Sequence, residues 1–276
     1  MNDDACIHFL QWCLPKLGKR WVGFRKVRGQ VCKRISRRMQ TLNLRTLDAY
    51  RDYLGAHPDE WDRLDAMCRI TISRFYRDRG VFDALRDPLL PDLARRLAKR
   101  GIPTLRAWSA GCASGEEPYT LRLLWNFDVS HRAPGVNLYV AATDVQAHML
   151  SRARRGCYPR GTLKELPDDW IEAAFEVRDE ASEAPWCLRP AYRRGIDWLQ
   201  QDIRETMPDG PFHLILCRNL VFTYFDTDLQ RTCLARLLDR LVPRGLLLLG
   251  KHESLPDGDW RLDVWDAHKR IFRRAV

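Results

Sequence analysis

The sequence of 276 residues predicts an α/β protein, with a small all-α amino-terminal domain ahead of a parallel sheet. Three observations carry this. Over the first 100 residues apolar side chains recur at helical spacing, without strand-like alternation. After Pro103 the order becomes strand, glycine loop, helix, strand, acidic residue, helix, strand, which is the order of a parallel α/β sheet. The charge also divides: the net charge is +10, residues 1–100 hold 22 basic and 12 acidic side chains, and residues 101–276 hold 24 of each.

Taken in order, Ile7, Leu10, Leu14 and Leu17 form one helical stripe. Val31, Ile35 and Met39 form another, surrounded by Lys33, Arg34, Arg37 and Arg38. Thr46 is placed to cap a third helix, which Leu54-Gly55 ends, and His57-Pro58-Asp59-Glu60 opens the next. A helix is predicted from Asp83 to about Lys99 and stops at Gly101-Ile102-Pro103. Leu105–Ser109 is the first strand, followed by the loop Gly111–Gly115 and a helix with Tyr119, Leu123 and Phe127 on one face. Val136–Ala142 is the second strand, ending at Thr143-Asp144 before a helix over 146–155. Phe212–Cys217 is a buried strand, 229–241 a helix, and Pro243-Arg244-Gly245 turns into a strand over Leu246–Leu249. Between 157 and 200, with an acid-rich middle from Glu176 to Glu183, the expectation is an insertion of short strands and loops.

Composition narrows the function classes. With 45% hydrophobic residues the chain can bury a core. No apolar run approaches the roughly 18 residues of a membrane span, and the amino terminus lacks the basic and apolar regions of a secretory leader. The nine cysteines are scattered, with no C-x-x-C, so reduced thiols in a cytoplasmic protein are expected rather than disulfides or a zinc site.

A glycine loop at the carboxyl end of a first parallel strand lets a ligand approach the backbone. Gly111 and Gly115 bracket such a loop, although glycines also simply end strands. Asp144 closes the second strand, where a carboxylate can accept both ribose hydroxyls; it can equally cap the helix that follows, and the two roles are compatible. Glu116-Glu117 suit a helix amino terminus. They would repel a phosphate but suit a ligand with an amine or sulfonium, which favours S-adenosylmethionine over NAD or ATP.

The run Trp108-Ser109-Ala110-Gly111-Cys112-Ala113-Ser114-Gly115-Glu116-Glu117-Pro118-Tyr119 closely resembles the signature loop of the CheR-type chemotaxis receptor methyltransferases. Phe75-Tyr76-Arg77-Asp78, Ala142-Thr143-Asp144, Cys217-Arg218-Asn219-Leu220 with Tyr224-Phe225, and Pro243-Arg244-Gly245 through Gly250 and Glu253 resemble further segments in the same order. The resemblance spans about Phe9 to Phe272. It implies a Rossmann-like class I methyltransferase domain over 105–276, with a small insertion near 157–195, behind a basic recognition domain over 1–82 and a linker helix over 83–104. It implies S-adenosyl-L-methionine as cofactor, S-adenosyl-L-homocysteine as product, and glutamyl methyl esters formed on the cytoplasmic helices of a chemoreceptor. By position, Thr71, Ser73 and Arg77 would lie on the cofactor; Gly111, Glu117 and Asp144 would bind its amino end and ribose; Asp202 and Ile203 would flank the adenine; Asn219 and Leu220 would close the pocket; Tyr224 would sit near the transferred methyl. Arg77 could also orient the acceptor carboxylate through its forked donors.

The sequence departs from the family in places. Ser73 stands where Thr is usual, Asp202 where Asn is usual, and His252 where Ser is common. The run Asn219–Tyr224 is one residue longer than the common form. The stretch Val177–Pro185 lacks the glycines of family members that dock on a receptor's carboxyl-terminal pentapeptide, so no such tether is expected. In the family a basic helix faces the receptor; here Arg25, Lys26, Arg28, Lys33, Arg34, Arg37 and Arg38 would supply it, with Arg34, Arg37 and Arg38 at its centre. Their like-charged i, i+4 pairs point to an acidic helical partner. Only Trp21 and Phe24 are aromatic between residues 16 and 45, so nucleic acid is not expected. A monomer is the default. The alternatives are a methyltransferase of the same fold acting on another carboxylate or a small molecule, and a regulatory protein that kept the cofactor pocket.

Overall fold

The computed structural model describes residues 2–179 and 181–276; Met1, where the reading of the amino terminus begins, and Glu180, inside the acid-rich stretch, lie outside the described residues. The chain divides into two compact units. One runs to Thr71 and adds Val221–Gln230; the other joins Ile72–Leu220 to Arg231–Val276. The sequence reading placed 72–82 with the first domain and 221–230 with the second, the opposite of this partition.

The first unit comprises α1 (Asp3–Cys13), α2 (Trp21–Phe24), α3 (Arg28–Thr41), α4 (Leu47–Ala56) and α5 (Asp59–Met67). Asn2 caps α1 by accepting the Asp4 N–H at 2.8 Å, and Thr46 caps α4 by accepting the Ala49 N–H at 3.1 Å. The apolar stripes meet in a core of Phe9, Leu10, Phe24, Val31, Ile35, Tyr50 and Leu64, all fully buried. Residues 221–230 belong here because Arg20 holds them: its backbone N–H donates to the Tyr224 carbonyl at 2.9 Å and its side chain to the Thr223 and Phe222 carbonyls. Gly23 lets the two segments touch, since a Cβ there would lie 2.1 Å from the Thr223 carbonyl oxygen.

The basic run is less bare than its sequence suggests, because helices α1 and α5 bring carboxylates to it. Arg38 grips Glu60 with two bonds of 2.9 and 2.7 Å, and the Tyr50 hydroxyl donates to the same carboxylate at 2.9 Å. Lys19 pairs with Asp65 in the interior, and Arg28 with Asp3. Arg34 donates to the Met67 and Arg69 carbonyls at 2.9 and 2.6 Å. Two of the three central recognition arginines, Arg34 and Arg38, therefore hold the helical unit together, whereas Arg25, Lys26, Lys33 and Arg37 are exposed.

The Arg38 guanidinium holds the buried Glu60 carboxyl below the usual carboxylate range. A depressed acid stabilises the fold above its unfolded pKa of about 4.3, and that stability is lost as pH falls through the folded value. Glu60→Gln is thus expected to cost about 2 kcal/mol at neutral pH and to flatten the acid limb of stability below about pH 4. Urea titrations at several pH values check this; an unchanged slope in the variant would refute it.

The second unit contains α6 (Arg79–Ala84), α7 (Leu90–Lys99), β1 (Thr104–Ala110), α8 (Glu116–Leu124), β2 (Asn137–Asp144), α9 (Ala147–Arg155), β3 (Cys157–Tyr158), α10 (Asp168–Ala174), β4 (Phe175–Val177), β5 (Trp186–Leu188), β6 (Ile196–Gln200), β7 (Phe212–Cys217), β8 (Leu241–Leu248), β9 (Leu262–Asp266) and β10 (Ile271–Arg274). Seven strands form one sheet in the order β6-β2-β1-β7-β8-β10-β9. The first five are parallel, and β10 runs antiparallel to both neighbours. Strand β7 is buried at every position, as expected of a strand covered on both faces. The helix predicted from Asp83 breaks at Asp87, which takes φ −155° before Pro88. Its second half is not a free linker: Leu90, Leu93, Ala94 and Leu97 are buried in the core of this unit. The insertion forms a small antiparallel sheet in the order β3-β5-β4 with α10 beside it in sequence.

The expectation of nine reduced thiols needs correction. Cys6 is bonded to Cys32 and Cys157 to Cys187. Packing of α1 on α3 joins the first pair, and the β3–β5 register sets Cys157 opposite Cys187. Separations of 26 and 30 residues carry no local signal. Cys13, Cys68, Cys112, Cys217 and Cys233 are buried and stand outside these disulfides.

Candidate cofactor and active site

The parallel part of the sheet reverses direction of growth at β1, which lies between β2 and β7. In an open α/β sheet the crevice outside the strand carboxyl ends at such a point is the ligand position. The glycine loop leaves β1 there. The N–H groups of Gly111 and Cys112 both donate to the Thr143 carbonyl, at 2.8 and 2.9 Å, tying the loop to the end of β2. Gly111 and Gly115 have φ of +73° and +94°, which a side chain disfavours. A Cβ at Gly111 would meet Leu220 at 2.7 Å, and one at Gly115 would meet Ala153 at 2.8 Å and Trp198 at 2.9 Å. The glycines are thus required first by protein packing, not by a ligand's approach.

Asp144 takes the capping role: one oxygen accepts the Ala113 N–H and the other the Gln146 N–H, both at 2.9 Å. The two adjacent glutamates separate. Glu116 is 2% exposed and accepts from the hydroxyls of Ser114 and Ser73; its burial raises its pKa. Glu117, in the first turn of α8, is mostly buried and accepts from the Ser109 hydroxyl and from Arg218, both at 2.8 Å.

Arg218 is the member of this site that the sequence reading left without a role. It stands directly after β7 with its side chain 2% exposed. It reaches Glu117, Asp78 at 2.7 Å and the Arg77 carbonyl at 2.8 Å, and its guanidinium lies 5.1 Å from the Phe82 ring centre. One cation thereby ties the end of β7, the start of α8 and the 77–78 turn. Glu253 does the same from the other side, accepting the N–H groups of Gly250, Asn219 and Leu220 at 2.5, 2.8 and 3.2 Å. The signal for Arg218 was a cation closing a run of six buried residues; for Glu253 it was an acid three residues after Gly250. Tyr76, Asp78, Ala113 and Asn219 all have φ between +47° and +62°, a clustering of disfavoured backbone typical of functional loops.

Of the other predicted residues, Arg77 donates to the Ile72 carbonyl at 2.6 Å. Asp202 is chelated by Arg204, with contacts of 2.6–3.1 Å, and Ile203 is buried beside it. Asn219 and Leu220 lie on Glu253, and Leu220 covers Gly111. Thr71 and Tyr224 belong to the helical unit, where the Tyr224 ring packs 5.0 Å from Phe24.

The crevice is rich in acceptors. The carboxylates of Asp144 and Glu117 stand here as acceptors. Gln146 and Gln201, at the ends of β2 and β6, each carry a buried side-chain oxygen without a partner. Arg218 is already shared among three acceptors, and Arg204 is taken by Asp202. Hydroxyl, amino and cationic groups fit this donor and acceptor set; a phosphate does not. S-adenosylmethionine meets those terms.

Comparison with known proteins points the same way. The profile described as "CheR methyltransferase, SAM binding domain" matches residues 71–271, and "CheR methyltransferase, all-alpha domain" matches residues 26–65. A chemotaxis protein methyltransferase of Escherichia coli (strain K12) is 32% identical over 232 residues, covering 82% of this chain and 77% of the relative. One from Listeria monocytogenes is 31% identical over 195 residues, covering 70% and 69%. A protein of Rhodobacter capsulatus bearing the name "Uncharacterized 104.1 kDa protein in hypE 3'region" is 30% identical over 246 residues; the match covers 89% of this chain and 25% of that longer one.

Proposed function

Because this chain belongs to the CheR methyltransferase family, we propose that it forms glutamyl methyl esters on the cytoplasmic helices of a chemoreceptor-like protein. The observation that carries the reading is the acceptor-rich end of the sheet, where the Glu117–Arg218–Asp78 bridge ties the end of β7 to the start of α8. S-adenosylmethionine supplies an electrophilic methyl group. Asp144 would receive the ribose hydroxyls, and Glu117 the amino group. Asp202, steadied by Arg204, and Ile203 would border the adenine.

The acceptor needs no activating base. A glutamate is ionised at neutral pH, with an ordinary pKa of about 4.3, so the protein's task is to align two reactants and exclude water. Arg77 is the proposed clamp on the acceptor carboxylate, and its forked guanidinium suits that geometry. Four exposed cations, Arg25, Lys26, Lys33 and Arg37, would attract an acidic helix. Without a glycine-rich insert, recognition is proposed to be independent of a pentapeptide tether. We place the protein in the cytoplasm as a monomer; no helix among the described residues is long and apolar enough to cross a membrane.

The test is transfer of tritiated methyl from S-adenosylmethionine to receptor-bearing membranes. Base-labile label on the receptor is expected, and Lys33→Glu with Arg37→Glu should reduce it about tenfold or more while sparing cofactor affinity. Base-stable label, or label retained fully by the double variant, would reject this assignment of substrate and surface.

A further inference from the structure

A second concave site lies in the second unit, away from the residues that form the crevice. A cavity of about 590 Å³ is lined by α7 and the Arg100 that follows it, the Val242–Arg244 part of β8, His213, Ile102 and Val276. Its apolar wall is Leu93, Leu97, Ile102 and Val242. Arg96, Arg100 and Arg244 line the same cavity, and Arg96 also lines an adjoining recess with Lys99 and Arg273.

These cations outnumber the acids beside them: among the described lining residues Asp92 is the one acidic side chain, and its carbonyl accepts from the Arg96 Nε at 3.3 Å. Among the described residues, none of Arg96, Arg100, Arg244 and Arg273 makes an ion pair, and the nearest acid in the recess, Asp92, is taken by Arg95. The Nε of Arg273 is buried without a partner. Burial, with Arg273, Arg244 and Arg100, pulls the Arg96 pKa down against the opposing charge of Asp92. Gathering like charges and withholding their partners costs stability, and a bound anion offsets that cost. His213 adds a neutral donor: its Nδ1 accepts the Arg106 N–H at 3.0 Å, which leaves the proton on Nε2, and burial keeps its pKa low.

We propose that this cavity is a second ligand site, which takes a nucleoside polyphosphate. Guanidinium forks match phosphate oxygens in pairs, and the three that line this cavity suit a polyphosphate better than a single carboxylate. The volume falls within the range of small-molecule sites, and the leucine and valine wall offers an apolar seat for a nucleoside body. None of its lining residues belongs to the crevice that binds the methyl donor, so occupancy of one site leaves the other open.

Calorimetry on the full chain saturated with S-adenosylhomocysteine tests this, with GTP and inorganic pyrophosphate as probes. GTP is expected to bind with a micromolar Kd, and pyrophosphate about tenfold more weakly because it forgoes the apolar wall. Arg96→Gln with Arg244→Gln should weaken GTP about a hundredfold and leave S-adenosylhomocysteine affinity unchanged, which also reports that the variant is folded. Absence of GTP binding up to about 1 mM, equal binding by the variant, or preference for an acidic peptide over GTP would each overturn the proposal. Should the double variant fail to fold, Arg100→Gln alone, at an exposed helix end, is expected to weaken GTP about tenfold, and no change there would count against it.

Discussion

Replacing Arg218 with methionine is expected to lower stability by about 3 kcal/mol and cofactor affinity by at least tenfold. Methionine keeps the apolar stem and removes the charge. Glu117 and Asp78, both mostly buried, then face each other without the cation that separates them, and the Arg77 carbonyl loses its donor. Breaking a buried pair from one side costs more than the pair contributes, because it strands the remaining charge. The melting temperature should fall by roughly 6–12 °C. Arg218→Lys is expected to lie between, since one ammonium cannot reach three acceptors in fork geometry. Thermal melts and S-adenosylhomocysteine titration read both effects. A loss under about 1 kcal/mol with full affinity would remove Arg218 from the centre of the site.

Glu253→Ala is expected to cost about 3–5 kcal/mol, because each buried N–H left unsatisfied costs on the order of 1–3 kcal/mol. Glu253 is 2% exposed and accepts three backbone N–H groups from two loops. Its removal frees Asn219, whose φ of +55° is held only by its surroundings, and with it Leu220 over Gly111. Cofactor affinity should therefore fall along with stability. Glu253→Gln fills the same volume but turns an amide NH2 toward N–H donors, so it should recover less than half of the loss. Full recovery by glutamine would show that volume, not charge-assisted acceptance, is what the loop needs.

The sheet was legible because its signals are local. The buried run Phe212–Cys217, the alternation of strand and helix after Pro103, and the cap at Thr46 each rest on neighbouring residues. The cofactor loop was legible for the same reason, with Gly111, Glu117 and Asp144 close to strand ends. What escaped depends on distant partners. The bonds of Arg218 to Glu117 and Asp78 span 101 and 140 residues, and that of Arg38 to Glu60 spans 22. A basic run therefore looked unpartnered while α5 neutralised part of it. The docking of 221–230 through Arg20 follows the same pattern, as do the two disulfides. Tertiary pairing decided each of these, and periodicity holds no record of it.

The central claim is that the crevice at the β1 switch point binds a phosphate-free nucleoside that carries an amino group. Calorimetric titration of wild-type protein and Asp144→Ala with S-adenosylhomocysteine tests it most directly. Micromolar binding by the wild type and at least a tenfold loss in the variant are predicted. No binding at about 1 mM ligand, or equal binding by both proteins, would contradict it.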